Sequence, residues 1–479
     1  MFDLVLKNAR IFGNDEADTV AVSQGRIAYV GIDKKLESHR SLDLQGLTVM
    51  PGFIDSHTHL LNLGLSMNRL DLSQTSTREE ALGKVRQYTQ RSKAKVIVGY
   101  GWDETAWGEK DYLTDKELDF SGRPVMLYRK DMHMAVLNGR AMDLCGLRRE
   151  GGAFSEESLR EIQWLSKPDA SEALEALKLA GHKASSEGIT SVRDIMEFST
   201  MEALKGLDFP IRVFGALYDR EYTNQDLSSS GWWGIKTFLD GSIGSRSAAH
   251  TGWNQFNLKF SNESLKEHLE GFWRKGMPVA MHAIGEMAVS QAVKALSGQK
   301  GTMRNSIEHF ELVDPDILPT IGGSTVLSSQ PNFLQWSGKG GLYENTLGQE
   351  WFGLDNPFRT ILDEGKNLAF GSDCMPMGPN YGIGLAVNSP HARQRISIME
   401  AVRAYTEGGA FLLNRECCIG RIEPGYFADM AIQDGKYSED RQRLGEKKPL
   451  ATLKGGIFTH MSREFSSIHD EGSINSTGA

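Results

Sequence analysis

The sequence predicts an α/β protein: a (β/α)8 barrel with a small β-sandwich formed by both chain ends. Three observations predict it. Eight short apolar or β-branched runs recur through the middle of the chain, alternating with amphipathic helix patterns, which is the texture of repeated β/α units and a parallel sheet. The first and last segments read instead as short strands punctuated by Gly and Pro. The stretch between the first two barrel strands is far longer than a β/α connection requires, so an inserted subdomain is expected there.

The N-terminal strands lie in LVLKNARIF, AVSQGRIAYVG and SLDLQGLTVM, and their C-terminal counterparts in GRIEPGYFADMAIQD and ATLKGGIFTH. They define a discontinuous sandwich over residues 1–47 and 418–462, a barrel over 48–417 and a flexible tail over 463–479. The barrel strands are expected in LTVMPGFID, GITSVRD, IRVFGAL, GIKTFLD, MPVAMHA, NSIEHF, TVLSSQ and NLAFGSD. The insertion, about residues 65–165, holds KVIVGYGWDE and a single strand RPVMLYRKDMHMAVLN, and is expected over the barrel mouth. Helix starts are marked by Asp169 with Glu172, by Ser261 or Asn262, and by Ser397 with Glu400.

Lys plus Arg total 53 and Asp plus Glu 62, leaving a net charge of −9, which excludes a mainly electrostatic nucleic-acid binder. No apolar run approaches the roughly 18 residues of a bilayer span, and MFDLVLKNAR lacks the features of a signal peptide. A cytoplasmic protein acting on a small molecule, with no nucleic-acid or membrane partner, is the expectation. Cys145, Cys374, Cys417 and Cys418 show no metal-knuckle or redox spacing and read as small buried apolar side chains.

The chemistry-bearing residues sit at strand ends. His57 and His59 alternate onto one face at the end of PGFIDSHTHL. Single candidates recur later: Lys236 in GIKTFLDG, His282 in VAMHAIGE, His309 in SIEHF and Asp373 in AFGSDC. In a β/α barrel the C-terminal strand ends share one rim, so ligands distant in sequence can meet there. Imidazoles and carboxylates suit Zn²⁺ and similar ions, whereas an ammonium does not.

These motifs, with DGSIGSRSA, MHAIGE and IEPGYFADM, resemble the amidohydrolase superfamily, in the branch of the N-substituted formamide deformylases and related metal-dependent hydrolases. The resemblance spans nearly the whole chain and implies a TIM-type barrel. It implies that His57, His59, Lys236, His282, His309 and Asp373 hold one or two divalent metals per chain, Zn first among them. It further implies that Lys236 is carboxylated to a carbamate bridging two metals; the alternative is a structural lysine paired with Asp240. Such a pair polarises a carbonyl and activates a hydroxide, with Asp373 as general base and then acid to the leaving nitrogen. Asp373 as a helix cap or loop residue is the other reading.

The expected reaction is hydrolysis of a non-peptide carbon–nitrogen bond in an N-substituted or cyclic amide. A mononuclear aminohydrolase (deaminase) and a non-catalytic small-molecule-binding relative are the alternatives, the complete ligand set arguing against the last. Glu286 stands where Asp is common in the family and reads as structural or as orienting a ligand. Trp102, Asp103, Asp131 and Arg246 are candidate substrate contacts, and His133 a candidate donor to the oxyanion, beside Met132 where the family usually has glycine. A homodimer is a family-level expectation only.

Overall fold

The computed structural model describes residues 1–470 except 33–34, 105–106, 109–111, 130–133, 148–151, 228–230, 254–256, 298, 300, 349–350, 352, 436 and 438, with backbone alone for 156–157, 160 and 468–470.

Eight parallel strands follow one another around a single sheet in chain order: β1 (Phe53–Thr58), β2 (Ile189–Met196), β3 (Arg212–Tyr218), β4 (Trp232–Phe238), β5 (Val279–Ala283), β6 (Ser306–His309), β7 (Val326–Ser329) and β8 (Asn367–Phe370). Each of the eight expected runs overlaps one of them. β2 is buried along its entire length, as a parallel strand covered on both faces should be. β8 returns to β1: Asp373 N donates to His57 O at 2.9 Å. At this seam a Cβ on Gly371 would fall 2.6 Å from His57 N, so only glycine allows the approach. The sheet is thus a nearly closed barrel.

The barrel interior contains a buried polar network. Arg193, from β2, donates to Ser56 O at 2.9 Å, to Ser306 Oγ at 2.7 Å and to Glu308 Oε2 at 2.5 Å. Burial lowers the Arg193 pKa, while Glu308 opposes that shift. The expected helix starts are present: Ser261 Oγ accepts from Ser264 N, Ser397 and Glu400 form a reciprocal capping box, and Asp169 accepts from Glu172 N.

Two further sheets come from the chain ends. One orders Arg26–Gly31, Thr19–Ser23, Phe2–Lys7 and Ser38–Asp43; the other orders Arg10–Ile11, Thr48–Pro51, Met430–Gln433, Ala451–Lys454 and Ile457–Met461. Leu4, Leu6, Val20 and Val22 of the first share a core with Met430, Ile432 and Leu453 of the second. LTVMPGFID was expected as one strand, but it divides at Gly52 into Thr48–Pro51, in the second of these sheets, and β1. Gly52 makes the turn-over possible because a Cβ there would lie 2.3 Å from Thr190 Oγ1. The tail expected from residue 463 begins instead as a helix, Arg463–Asp470, whose Phe465 is buried in the same core. The four cysteines are free, with Cys417 exposed and the other three partly exposed, rather than buried as expected.

A separate compact unit, Leu60–Ala180, is built on a five-stranded sheet ordered Ala153–Ser155, Met134–Leu137, Val125–Arg129, Ile97–Trp102, Leu70–Asp71. RPVMLYRKDMHMAVLN is not one strand: Tyr128 pairs with Ala135 in antiparallel register, so the chain reverses between them. No described helix is long and apolar enough to cross a membrane.

Candidate metal centre

The strand ends bring six expected residues to one cavity of about 380 Å³: His57, His59, Lys236, His282, His309 and Asp373 all line it. The tightest cluster is His57, His59 and Asp373, which each offer a ligand atom within 4.8 Å of the others'. Asp373 Oδ1 lies 3.2 Å from His59 Nε2 and 3.8 Å from His57 Nε2. The ring of His309 is 4.9 Å from that of His57 and 4.4 Å from that of His282.

The tautomers are set by neighbours. His57 Nδ1 meets Glu308 Oε2 at 2.5 Å, which leaves Nε2 to face Asp373 and the cavity. His282 Nε2 donates to Gly241 O at 3.0 Å, which leaves the Nδ1 lone pair free of a proton. Burial keeps these imidazoles neutral: His57 and His309 fall well below the ordinary value and His282 is pushed down to about 3. Burial also acts to lower His59, but its bond to Asp373 prevails and raises it. Burial alone would raise Asp373; the His59 hydrogen bond and the nearby positive charges hold it below the ordinary carboxylate range.

Two buried nitrogens on the described cavity lining have no hydrogen-bond partner: Lys236 Nζ and His309 Nδ1. Unpaired buried polar atoms are costly and uncommon unless something else satisfies them. Neutral imidazoles, an ionised carboxylate and two orphaned nitrogens around one space form a donor set that fits a divalent metal. Burial lowers Lys236 to about 8, so about a tenth of it is uncharged at pH 7. Asp240, its alternative partner, is occupied by the backbone N–H groups of Ala249, Ile284 and Gly285. Two non-glycine residues in the left-handed region end β6, His309 and Phe310 at φ 70° and 50°; another two follow β8, Asp373 and Cys374 at φ 50° and 58°. Backbone of this kind is sparsely populated and collects at functional sites.

The remaining candidates fall elsewhere. Trp102 is fully buried in the core of the Leu60–Ala180 unit and its indole N–H is taken by Leu127 O at 2.9 Å, so it is a packing residue and not an open substrate contact. Asp103 is partly exposed in the same unit. Arg246 is exposed and does not line the cavity. Asp131 and His133 lie outside the described residues. Glu286 accepts from His250 Nδ1, Thr251 N and Thr251 Oγ1. Sequence reasoning missed Glu308 behind His57, and Glu311 with Tyr343, whose hydroxyl donates to Glu311 Oε2 at 2.5 Å. It also missed Asp55, which accepts from Ser372 and His57 N and is pushed up to about 7 by burial. An acid inside an expected barrel strand, two residues before His57 in Asp55 and one before His309 in Glu308, was the available signal.

The family model described as "Amidohydrolase family" matches residues 40–460. The chain belongs to the amidohydrolase family. This amidohydrolase is 26% identical to the amidohydrolase YtcJ of Bacillus subtilis, over 88% of this chain and 91% of that one. It is 34% identical to the imidazolonepropionase of Vibrio vulnificus, over 95% of this chain and 98% of that one. To the N-substituted formamide deformylase of Arthrobacter pascens it is 30% identical, over 31% of this chain and 30% of that one. Among solved structures it superposes on an uncharacterized metal-dependent hydrolase from Pyrococcus furiosus with TM-score 0.80 at 27% identity, covering 92% of this chain and 99% of that one. It is therefore a metal-dependent hydrolase with a TIM-type barrel.

Proposed function

We propose that this amidohydrolase cleaves a non-peptide carbon–nitrogen bond in an N-substituted or cyclic amide, with Asp373 moving the proton. The observation that carries the reading is an Asp373 carboxylate held ionised within 3.2 Å of His59 Nε2, on the wall of a cavity large enough for a small amide. The relatives named for an imidazolone and for N-substituted formamides support a carbon–nitrogen substrate. A divalent metal held by His57, His59 and Asp373, with His282, His309 and Lys236 beside them, would polarise the substrate carbonyl and acidify a water; zinc suits those donors best.

The chain's own residues do the rest. Glu308 fixes the tautomer of His57, and Gly241 O that of His282, so both present lone pairs to the cavity. Asp373 takes the proton of the attacking water and returns it to the leaving nitrogen. Lys236, as a carbamate, would add a second anionic arm; its buried and unpartnered Nζ supports that role. Occupation of Glu286 by His250 and Thr251 favours hydrolysis over deamination, because it ties up the glutamate nearest in sequence to His282.

Asp373→Asn tests the mechanism. Metal content, measured by elemental analysis, should fall modestly, while turnover on a panel of N-acyl and cyclic amides should drop by at least about 100-fold, the effect of losing a general base. Turnover near wild type at full metal occupancy would remove Asp373 from proton transfer.

A further inference from the structure

Beyond the six metal-facing residues, the cavity has a second polar pole. Glu311 is buried on the cavity wall; Tyr343 donates to its Oε2, and no described residue donates to its Oε1. Burial, only partly offset by that hydroxyl, pushes the Glu311 carboxyl up to about 8, and a cationic N–H group at the open Oε1 would favour its ionised form.

Between the two poles runs an aromatic wall. Phe333 stacks on His309 at 6.0 Å, Trp336 lies 5.1 Å from Phe333, and Tyr343 lies 6.3 Å from Trp336. Phe238, Ile243 and Ile284 add apolar surface. Lys236 is the only lysine or arginine on the described lining, so an anionic substrate group would meet no arginine there.

We infer that Glu311 and Tyr343 form a specificity subsite for a cationic N–H group, an ammonium or amidinium, carried on a flat apolar scaffold whose amide reaches the metal-facing residues. The aromatic faces attract the cation and cover the scaffold, and Oε1 accepts its N–H. The inference rests on the amide-hydrolase reading and supplies the substrate class that reading leaves open.

The test is equilibrium binding to the metal-loaded protein, using benzamidinium and its neutral counterpart of similar shape, acetophenone. Benzamidinium should bind at least about tenfold more tightly, the scale of a charge-assisted hydrogen bond. Glu311→Gln, which keeps the size of the side chain and its bond to Tyr343, should bring the two ligands within about twofold of one another. In a crystal soaked with benzamidinium, its nitrogens should lie within hydrogen-bond distance of Glu311 Oε1. That measurement decides the matter if Glu311→Gln does not fold. Equal binding of the two ligands, binding of neither at millimolar concentration, or a preference that survives Glu311→Gln overturns the subsite. Because the readout is binding, its failure is distinct from that of the hydrolytic mechanism, which Asp373→Asn tests by turnover.

Discussion

At the scale of single residues, Lys236 links burial to chemistry. Carboxylation by carbon dioxide consumes the uncharged amine, and burial, reinforced by Arg193, lowers the Lys236 pKa to about 8. The sign follows directly: below about 8 the reactive fraction grows about tenfold per pH unit, and above it the fraction saturates. Metal-stripped protein given zinc at a fixed concentration of dissolved carbon dioxide should therefore recover activity about ten times faster at pH 7 than at pH 6, with a plateau above about pH 8. His57 and His282 do not set this profile, since burial already makes them neutral across that range. A rate independent of pH would exclude the neutral amine as the limiting species. Lys236→Ala should lose most activity and regain part of it with added formate, whose carboxylate can occupy the vacated place; unaltered activity in the variant would rule the carbamate out.

At the scale of elements, β2 and β6 meet through Arg193 and Glu308, 115 residues apart in sequence and both fully buried. Glu308 bonds both Arg193 and His57, so the ion pair supports the wall of the candidate metal centre. Glu308→Gln should keep a hydrogen-bonding group beside His57 but weaken metal affinity by about 10- to 100-fold, as supporting partners of ligands generally do. Arg193→Met leaves Glu308 charged and without its guanidinium partner, and should cost about 3–5 kcal/mol in urea unfolding of the metal-free protein. Unchanged metal affinity in the first variant or unchanged stability in the second would show that the pair is incidental. No spacing in the sequence announces this pairing, because which inward side chains meet depends on how the strands close. The strands themselves were legible as β-branched runs, and the caps at Ser261 and Ser397 as short local patterns. The break at Gly52 was not legible, since apolar residues continue through both halves of LTVMPGFID. The reversal after Arg129 was hidden for a similar reason, by alternation that runs on across it. Trp102 was misread because an aromatic residue beside an acid looks like a binding motif until its burial is known.

At the scale of the whole Met1–His59 and Gly181–Ala479 unit, the sandwich joins the two ends of the chain: Thr48–Pro51 pairs with Met430–Gln433, and the strand then passes through Gly52 into β1, which carries His57. Loop closure across so many residues adds little to the equilibrium cost, because that cost grows only with the logarithm of loop length. It weighs on the folding rate, since contacts so distant must form late. The final helix, Arg463–Asp470, inserts Phe465 into this core, 5.8 Å from Phe458, with Ser462 Oγ accepting from Phe465 N at the helix start. Phe465→Ala should therefore destabilise the unit by about 3–5 kcal/mol, the cost of a large buried aromatic and the cavity it leaves. Phe465→Leu, which retains much of the volume, should cost under about 1.5 kcal/mol. Denaturant midpoints of the metal-loaded proteins measure both, and native metal content should be unchanged in each because Phe465 lies in the sandwich core and not on the described cavity lining. If the alanine variant unfolds at the wild-type midpoint, the last helix is not part of the core and the sandwich ends at Met461.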